Sequence, residues 1–430
     1  MTPISPHTQR AALAEKHRHD LAASAGGTRR EQTRLALLRL AGRRYRAAAP
    51  LPDTPPQRIL LIRPDHLGDL LFATPALRLV RERFPDAHIA ALVGPWGVPV
   101  LSDNPDIDEL LTCAFPGFTR RRKGNPIAPY MLLRSEARRL AGGRFDLACI
   151  LRFDHWWGAW LAAEAGIPWR IGYDMPSTRP FLTSATPYIS GRHEVVQNLG
   201  LVGDGAWGVG RGDWGLGIGA SGLETESRGL GRMRFEVTAE DERAAGKLLA
   251  GLDDSRPLAA IHPGSGAAVK RWRTEGWVAL VQVLIERHGV QVVFTGSASE
   301  AALIDPVLAG LGVDGELAGS VRSLAGRTDL ATLAAVYRRC ALVVGPDSGP
   351  LHLAVAVGTP TVHLYGPVDR RTFGPWGDPA RHVVVTSDWP CIACNKLDWP
   401  EAALPEHGCV RDIAVDDVIL ATTGLLSEVP

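Results

Sequence analysis

No apolar run in the 430-residue chain approaches the roughly 20 residues that cross a bilayer, which excludes a spanning helix. The opening residues, MTPISPHTQRAALAEKHRHD, lack the apolar core of a secretory signal, so a cytoplasmic protein is expected. Cysteine is scarce at six residues, and six do not change that expectation. Net charge is nearly absent at +1, and no interleaving of aromatic and basic residues is visible. Nucleic acid is therefore not an expected partner.

What charge there is lies unevenly. Residues 1–50 contain ten Lys/Arg against three Asp/Glu, a net of +7, which leaves −6 on the remaining 380 residues. Within this tail, RREQTRLALLRLAGRRYR (29–46) places Leu38, Ala41 and Tyr45 on one helical stripe among arginines. Such a helix could rest on anionic lipid, giving peripheral contact with the inner membrane surface. It could equally extend into solvent.

A length of 430 residues suits two domains, and 45% hydrophobic with 22% charged residues suits a soluble globular protein. After the proline-rich joint LPDTPPQ (51–57), short apolar runs alternate with helical stretches. RILLIR (58–63), HIAALVG (88–94) and DLACIL (146–151) read as buried strands; ALRLVRERF (76–84) and YMLLRSEARRLAGG (130–143) read as helices. Alternation of this kind implies a parallel sheet covered on both faces. Residues 203–231 are dense in glycine and aperiodic, as expected of a linker or insertion, although Trp207 and Trp214 could contact a surface or an acceptor. A second α/β run begins at LAAIH (258–262) and continues through a helix at 274–288, the strand VQVVFTG (290–296) and a helix from Ser299. The expected organisation is a basic extension (1–57), a Rossmann-like domain (58–202), a Gly-rich linker (203–231) and a second Rossmann-like domain (232–430). The two would face each other across a cleft, with ligands at the carboxyl ends of the strands.

Three loops of the second half point to an anion. In ALVVGPDSGPLHLAVAVGTPTVHLYGP (341–367) a strand runs through Gly345-Pro346-Asp347-Ser348-Gly349-Pro350 into a short apolar helix, with the proline expected as its first residue. Unpaired N–H groups at that helix start suit a phosphate or diphosphate, and His352 lies about one turn in. HPGSGAAVKRW (262–272) follows another strand, with Ser265 and Gly266 in a small-residue loop and Lys270 as a point charge for phosphate. TGSASE (295–300) follows a third, where Glu300 could accept from ribose hydroxyls. Neither of these two loops is a Walker loop or a GxGxxG fingerprint. Each could be an ordinary turn; three in succession favour a phosphate-and-ribose site. In the first half, Asp69 follows Gly68 after the strand 58–63 and could cap the helix or act as a general base.

The chain resembles the lipopolysaccharide heptosyltransferases, glycosyltransferase family 9, of the GT-B fold. The matching residues are IRPDHLGDLLFATPALRLVRERFPDAHI (62–89), HEVVQNL (193–199), IHPGSGAAVKRW (261–272), TGSASE and the 341–367 segment, in family order. The resemblance implies inverting transfer of a heptose from ADP-heptose to a lipopolysaccharide core or similar lipid-linked glycan, with no cofactor or essential metal. By position Asp69 matches the base and Lys270 the phosphate-contacting lysine. Ser348, Gly349 and His352 match the diphosphate turn, Asp347 the acid near donor sugar or phosphate, Glu300 the ribose ligand, and Ser265 with Gly266 the phosphate loop. The first domain would take the acceptor and the second the donor. The basic run Arg120 to Lys123 could meet an anionic acceptor or remain a solvated loop.

Two further patterns stand apart. Cys391, Cys394, His407 and Cys409 are compatible with a structural zinc. Asp106-Ile107-Asp108 spells the DxD of metal-dependent transferases but sits in a polar turn, where it reads as coincidence. The alternatives are a nucleotide-sugar epimerase and a non-catalytic nucleotide-sugar-binding protein.

Overall fold

The computed structural model describes residues 29–45, 54–119, 125–205, 231–312 and 319–427, with isolated positions 11, 12 and 15. Arg120 to Lys123, Trp207 and Trp214 lie outside the described residues, as does most of the chain before residue 29.

Two compact units divide the chain, one over residues 27–234 and one that includes 235–430. Each is built on a six-stranded parallel sheet. The first unit contains β1 (Arg58–Arg63), β2 (His88–Val93), β3 (Glu109–Thr112), β4 (Leu147–Ile150), β5 (Trp169–Tyr173) and β6 (Ser184–Thr186), in the spatial order β3-β2-β1-β4-β5-β6. The second contains β7 (Leu258–Ile261), β8 (Gln291–Phe294), β9 (Val321–Ser323), β10 (Leu342–Pro346), β11 (Thr361–Tyr365) and β12 (His382–Thr386), in the order β12-β11-β10-β7-β8-β9. Counted within its own unit, each sheet runs 3-2-1-4-5-6, the doubly wound order. It reverses direction between its first and fourth strands. Those seams are β1/β4 and β7/β10.

Burial explains the strands. β7, β8, β10 and β11 are buried at every position, as is β1 beyond Arg58, because helices cover both faces of a parallel sheet. Edge strands such as β3 and β6 are only half-buried and carry little apolar signal. The helix at Thr274–His288 ends on Gly289 in the left-handed region (φ 63°), which lets Gly289 and Val290 donate back to the Ile285 and Leu284 carbonyls.

One helix departs from its sequence pattern. The segment 76–84 read as helical is the second half of a helix that runs Leu67–Arg83, with Pro75 inside it. Proline at this point removes the N–H that would reach the Leu71 carbonyl. The Thr74 hydroxyl donates to that carbonyl instead, at 2.7 Å, and the Arg234 N–H donates to the same hydroxyl at 2.9 Å.

The helix Arg29–Gly42 belongs to the first unit. Its stripe faces protein, since Leu38 is buried in that core and Ala41 and Tyr45 pack against it. The Tyr45 hydroxyl meets Glu164, and Arg170 Nη2 donates to the Tyr45 carbonyl at 3.1 Å. The apolar side chains left in solvent are Leu37 and Leu40, at 62% and 61% exposure. Among the described residues no helix is long and apolar enough to cross a membrane.

Candidate active site

The loops leaving β7 and β10 bring Lys270 and Asp347 together across 77 residues of sequence. Lys270 Nζ donates to Asp347 Oδ2 at 3.0 Å, and His352 Nε2 lies 3.5 Å from Asp347 Oδ1. Burial alone would raise the Asp347 pKa. The His352 ring and the Lys270 ammonium more than offset it and hold the carboxyl well below the ordinary carboxylate range. Asp347 is therefore ionised, with both oxygens faced by nitrogen.

Ser348 caps the helix Gly349–Ala356 by position, in extended conformation, but its hydroxyl makes no capping bond. Its Oγ is buried without a hydrogen-bond partner among the described residues. Gly349 is the first helical residue and Pro350 the second, so the proline sits one place later than the sequence reading put it. Gly345 has to be glycine: a Cβ there would lie 2.6 Å from both the His262 carbonyl oxygen and Leu351 Cδ2. In the neighbouring loop the Ser265 hydroxyl lies 3.2 Å from the Ala267 carbonyl oxygen and 3.3 Å from its N–H, while a Cβ on Gly266 would meet nothing within 4 Å.

Glu300 reaches the same loops from β8. Its Oε2 accepts from the Ser297 N–H at 2.7 Å and hydroxyl at 2.8 Å, closing a capping box ahead of the helix Ala301–Leu311. Burial opposes ionisation here, but the two Ser297 bonds lower the carboxyl pKa overall. Oε1 takes no part in the box and hangs over Gly264, where a Cβ would come within 2.0 Å of it. The residue is thus a cap, with one oxygen unused by the cap.

Asp69 stands at the other seam, in the first turn of Leu67–Arg83. It does not cap that helix; His66 occupies the cap position. What surrounds it was not anticipated. Arg63, the last residue of β1, is buried and pairs with Asp65 at 2.7 Å and Glu194 at 3.2 Å, with Asp69 farther off at 3.8 Å. Arg152, from the loop after β4, closes on the other oxygen of Asp65. The Asp69 side chain keeps 34% of its surface open within this dense surround. Burial of the carboxyl raises its pKa to about 7, helped by the charges of Asp65 and Glu194 and opposed by Arg63 and Arg152. Such a group changes protonation near neutral pH.

Sequence reasoning missed Arg63, Asp65, Arg152 and Glu194. A signal existed in HEVVQNL, where Glu194 and Asn198 are four apart and so share a helix face. Both meet Arg63, with Asn198 Oδ1 accepting from Nη1 at 3.1 Å.

The zinc candidates are not assembled. Among the described residues no group of three or more His, Cys, Asp or Glu side chains could hold a metal. His407 is stacked on Trp399 at 3.5 Å between ring centroids, and burial pushes the Cys409 thiol up to about 12. Cys391 and Cys394 are half-buried and form no disulfide among the described residues. Asp106 and Asp108 are likewise in structural use: Asp108 accepts from the Ile89 N–H at 2.7 Å, and Asp106 is buried.

Two doubly wound parallel sheets, one with the Lys270–Asp347 pair at its seam and the other with Asp69, give the architecture of a GT-B glycosyltransferase. The sequence pattern of glycosyltransferase family 9 (heptosyltransferase) matches residues 133–400, and the chain belongs to that family. It is similar to lipopolysaccharide heptosyltransferase 2 of Salmonella typhimurium, at 26% identity over 86% of this chain and 99% of that one. The solved family 9 glycosyltransferase of Veillonella parvula superposes with a TM-score of 0.67 at 25% identity, over 86% of this chain and 98% of that one. The E. coli ADP-heptose LPS heptosyltransferase II shares the fold at a TM-score of 0.66 and 23% identity, over 86% and 99%.

Proposed function

We propose that the protein transfers a heptose from ADP-heptose to a lipopolysaccharide core or similar lipid-linked glycan, with inversion and with no metal in the reaction. What supports this reading is the half-exposed Asp69 carboxyl, in the first turn of the helix that follows β1, in a chain whose relatives are named heptosyltransferases. In the transfer Asp69 takes the proton of the acceptor hydroxyl as its oxygen attacks the anomeric carbon. The bond to the diphosphate breaks and its electron pair leaves with ADP. Lys270, the Ser348 hydroxyl and the start of Gly349–Ala356 supply cation and hydrogen-bond donors for that charge. Asp347 holds Lys270 and His352 in place, Ser265 and Gly266 would line the phosphates, and Glu300 Oε1 would take the ribose.

Incubation with ADP-heptose and a panel of lipid-core acceptors is expected to release ADP and yield a glycosylated lipid. An epimerised sugar without acceptor consumption would instead mark an epimerase, and nucleotide binding without product a binding protein.

The lipid-linked acceptor also suggests where the enzyme works, at the inner face of the cytoplasmic membrane. Leu37 and Leu40 stand exposed beside the exposed Arg39 and Arg43, a face suited to an anionic bilayer. Co-flotation with phosphatidylglycerol vesicles but not phosphatidylcholine vesicles is expected, and its loss in the double variant Leu37→Glu/Leu40→Glu. Flotation that the double variant retains would rule this face out.

A further inference from the structure

We propose that Glu194 is a positioning residue for Asp69: it holds by hydrogen bond the end of the Arg63 guanidinium that would otherwise close on Asp69. The consequence for catalysis rests on Asp69 being the base of the transfer proposed above.

Arg63 has five N–H donors in a fixed fork. Its Nε faces Asp65 Oδ2 at 2.7 Å, and Nη1 donates to the Leu151 carbonyl at 2.8 Å and to Asn198 Oδ1 at 3.1 Å. Nη2, with two N–H groups, is left for the other two carboxylates. One of them donates to Glu194 Oε2 at 3.2 Å and draws the NH2 group toward Glu194, so that Asp69 Oδ1 stays 3.8 Å away, beyond hydrogen-bond range. Glu194 is itself fixed on the short helix Glu194–Gly200, with the Tyr188 hydroxyl 3.5 Å from its other oxygen. Arg63 and Glu194 are buried to 4% and 6% side-chain exposure, so their pairing is little screened by water.

Charge counting gives the same assignment. The groups that face Asp69 are Arg63 from β1, Asp65 from the loop after it, Arg152 from the loop after β4, and Glu194. Asp65, Asp69 and Glu194 stand against Arg63 and Arg152, and Arg152 is shared with Asp154 at 2.6 Å, so negative charge is in excess. Asp65 is bracketed by both arginines, and they lower its pKa despite burial. Glu194 has Nη2. Asp69 is the carboxyl whose cation stands farthest off, at 3.8 Å, and it is the one displaced toward neutrality.

Glu194→Gln keeps the shape, removes the competing charge and frees Nη2 to swing toward Asp69. The acid limb of the kcat/KM profile is then expected to fall by about one pH unit or more, the usual effect of an opposite charge at contact. Glu194→Asp retains the charge and should leave the limb near its wild-type position. Carbodiimide labelling of Asp69 across pH, read by peptide mass spectrometry, reports its protonation without turnover. Its wild-type midpoint is expected near 7, moving down with the limb in Glu194→Gln. An unchanged labelling midpoint in Glu194→Gln would overturn the proposal. So would a wild-type midpoint in the ordinary carboxylate range, even if the variant fails to fold. A midpoint that moves while the limb stays put would uphold the Glu194 effect and refute Asp69 as the base.

Discussion

Replacement of Asp69 by alanine is expected to lower kcat by about 10²-fold or more, the usual scale for loss of a general base, with nucleotide affinity nearly unchanged. The asymmetry follows from where the groups lie. Every residue assigned to the diphosphate and ribose stands on the sheet of the second unit, around the β7/β10 seam, whereas Asp69 stands at the β1/β4 seam of the first. Truncation at one seam leaves the hydrogen bonds of the other intact. The wild-type rate should rise with pH through about 7, because the carboxyl must be ionised to accept a proton and its pKa is raised to that value. Single-turnover kinetics with ADP-heptose, together with an ADP-binding isotherm, checks both halves. Wild-type turnover in Asp69→Ala would remove this residue from the chemistry.

Lys270→Ala should damage both stability and donor use. The ammonium lies 3.0 Å from a carboxylate with 9% side-chain exposure, and breaking a buried pair on one side costs about 3 kcal/mol or more. His352, 3.5 Å away on the other oxygen, keeps the loss toward the lower end. The same deletion removes one hydrogen bond between charged groups from the departing phosphate, so kcat/KM for the donor is expected to fall roughly tenfold to a hundredfold. The pH dependence has a definite sign. Asp347 has a depressed pKa, so its pairing stabilises the fold above the unfolded carboxylate pKa, and that stabilisation is lost as pH falls through the folded value. The Tm gap between wild type and Lys270→Ala should therefore be widest at neutral pH and close under acid. A gap of constant size would mean that Lys270 stabilises by packing rather than by charge.

Local chemistry was the legible part of this chain. RILLIR, HIAALVG and the helix at 274–288 announce themselves by continuous burial or by an amphipathic run closed with Gly289, and they appear where expected. Asp69, Lys270 and the 345–350 turn were visible because each follows a buried strand, which is where doubly wound sheets place ligands. Long-range pairing was not legible. Arg63 meets Glu194 across 131 residues, and nothing in either neighbourhood names the other. The cysteines at 391, 394 and 409 with His407 had metal-like spacing, but spacing fixes neither direction nor distance, and His407 stacks on Trp399 instead.

The repeated strand order bears on engineering the enzyme. Because both sheets reverse at the seam between their first and fourth strands, the proposed chemistry is concentrated in four short stretches, 63–69, 151–155, 262–270 and 347–352, with Glu194 and Glu300 in support. Swapping whole stretches between relatives, one seam at a time, would separate donor preference from acceptor preference in two independent sets of chimaeras.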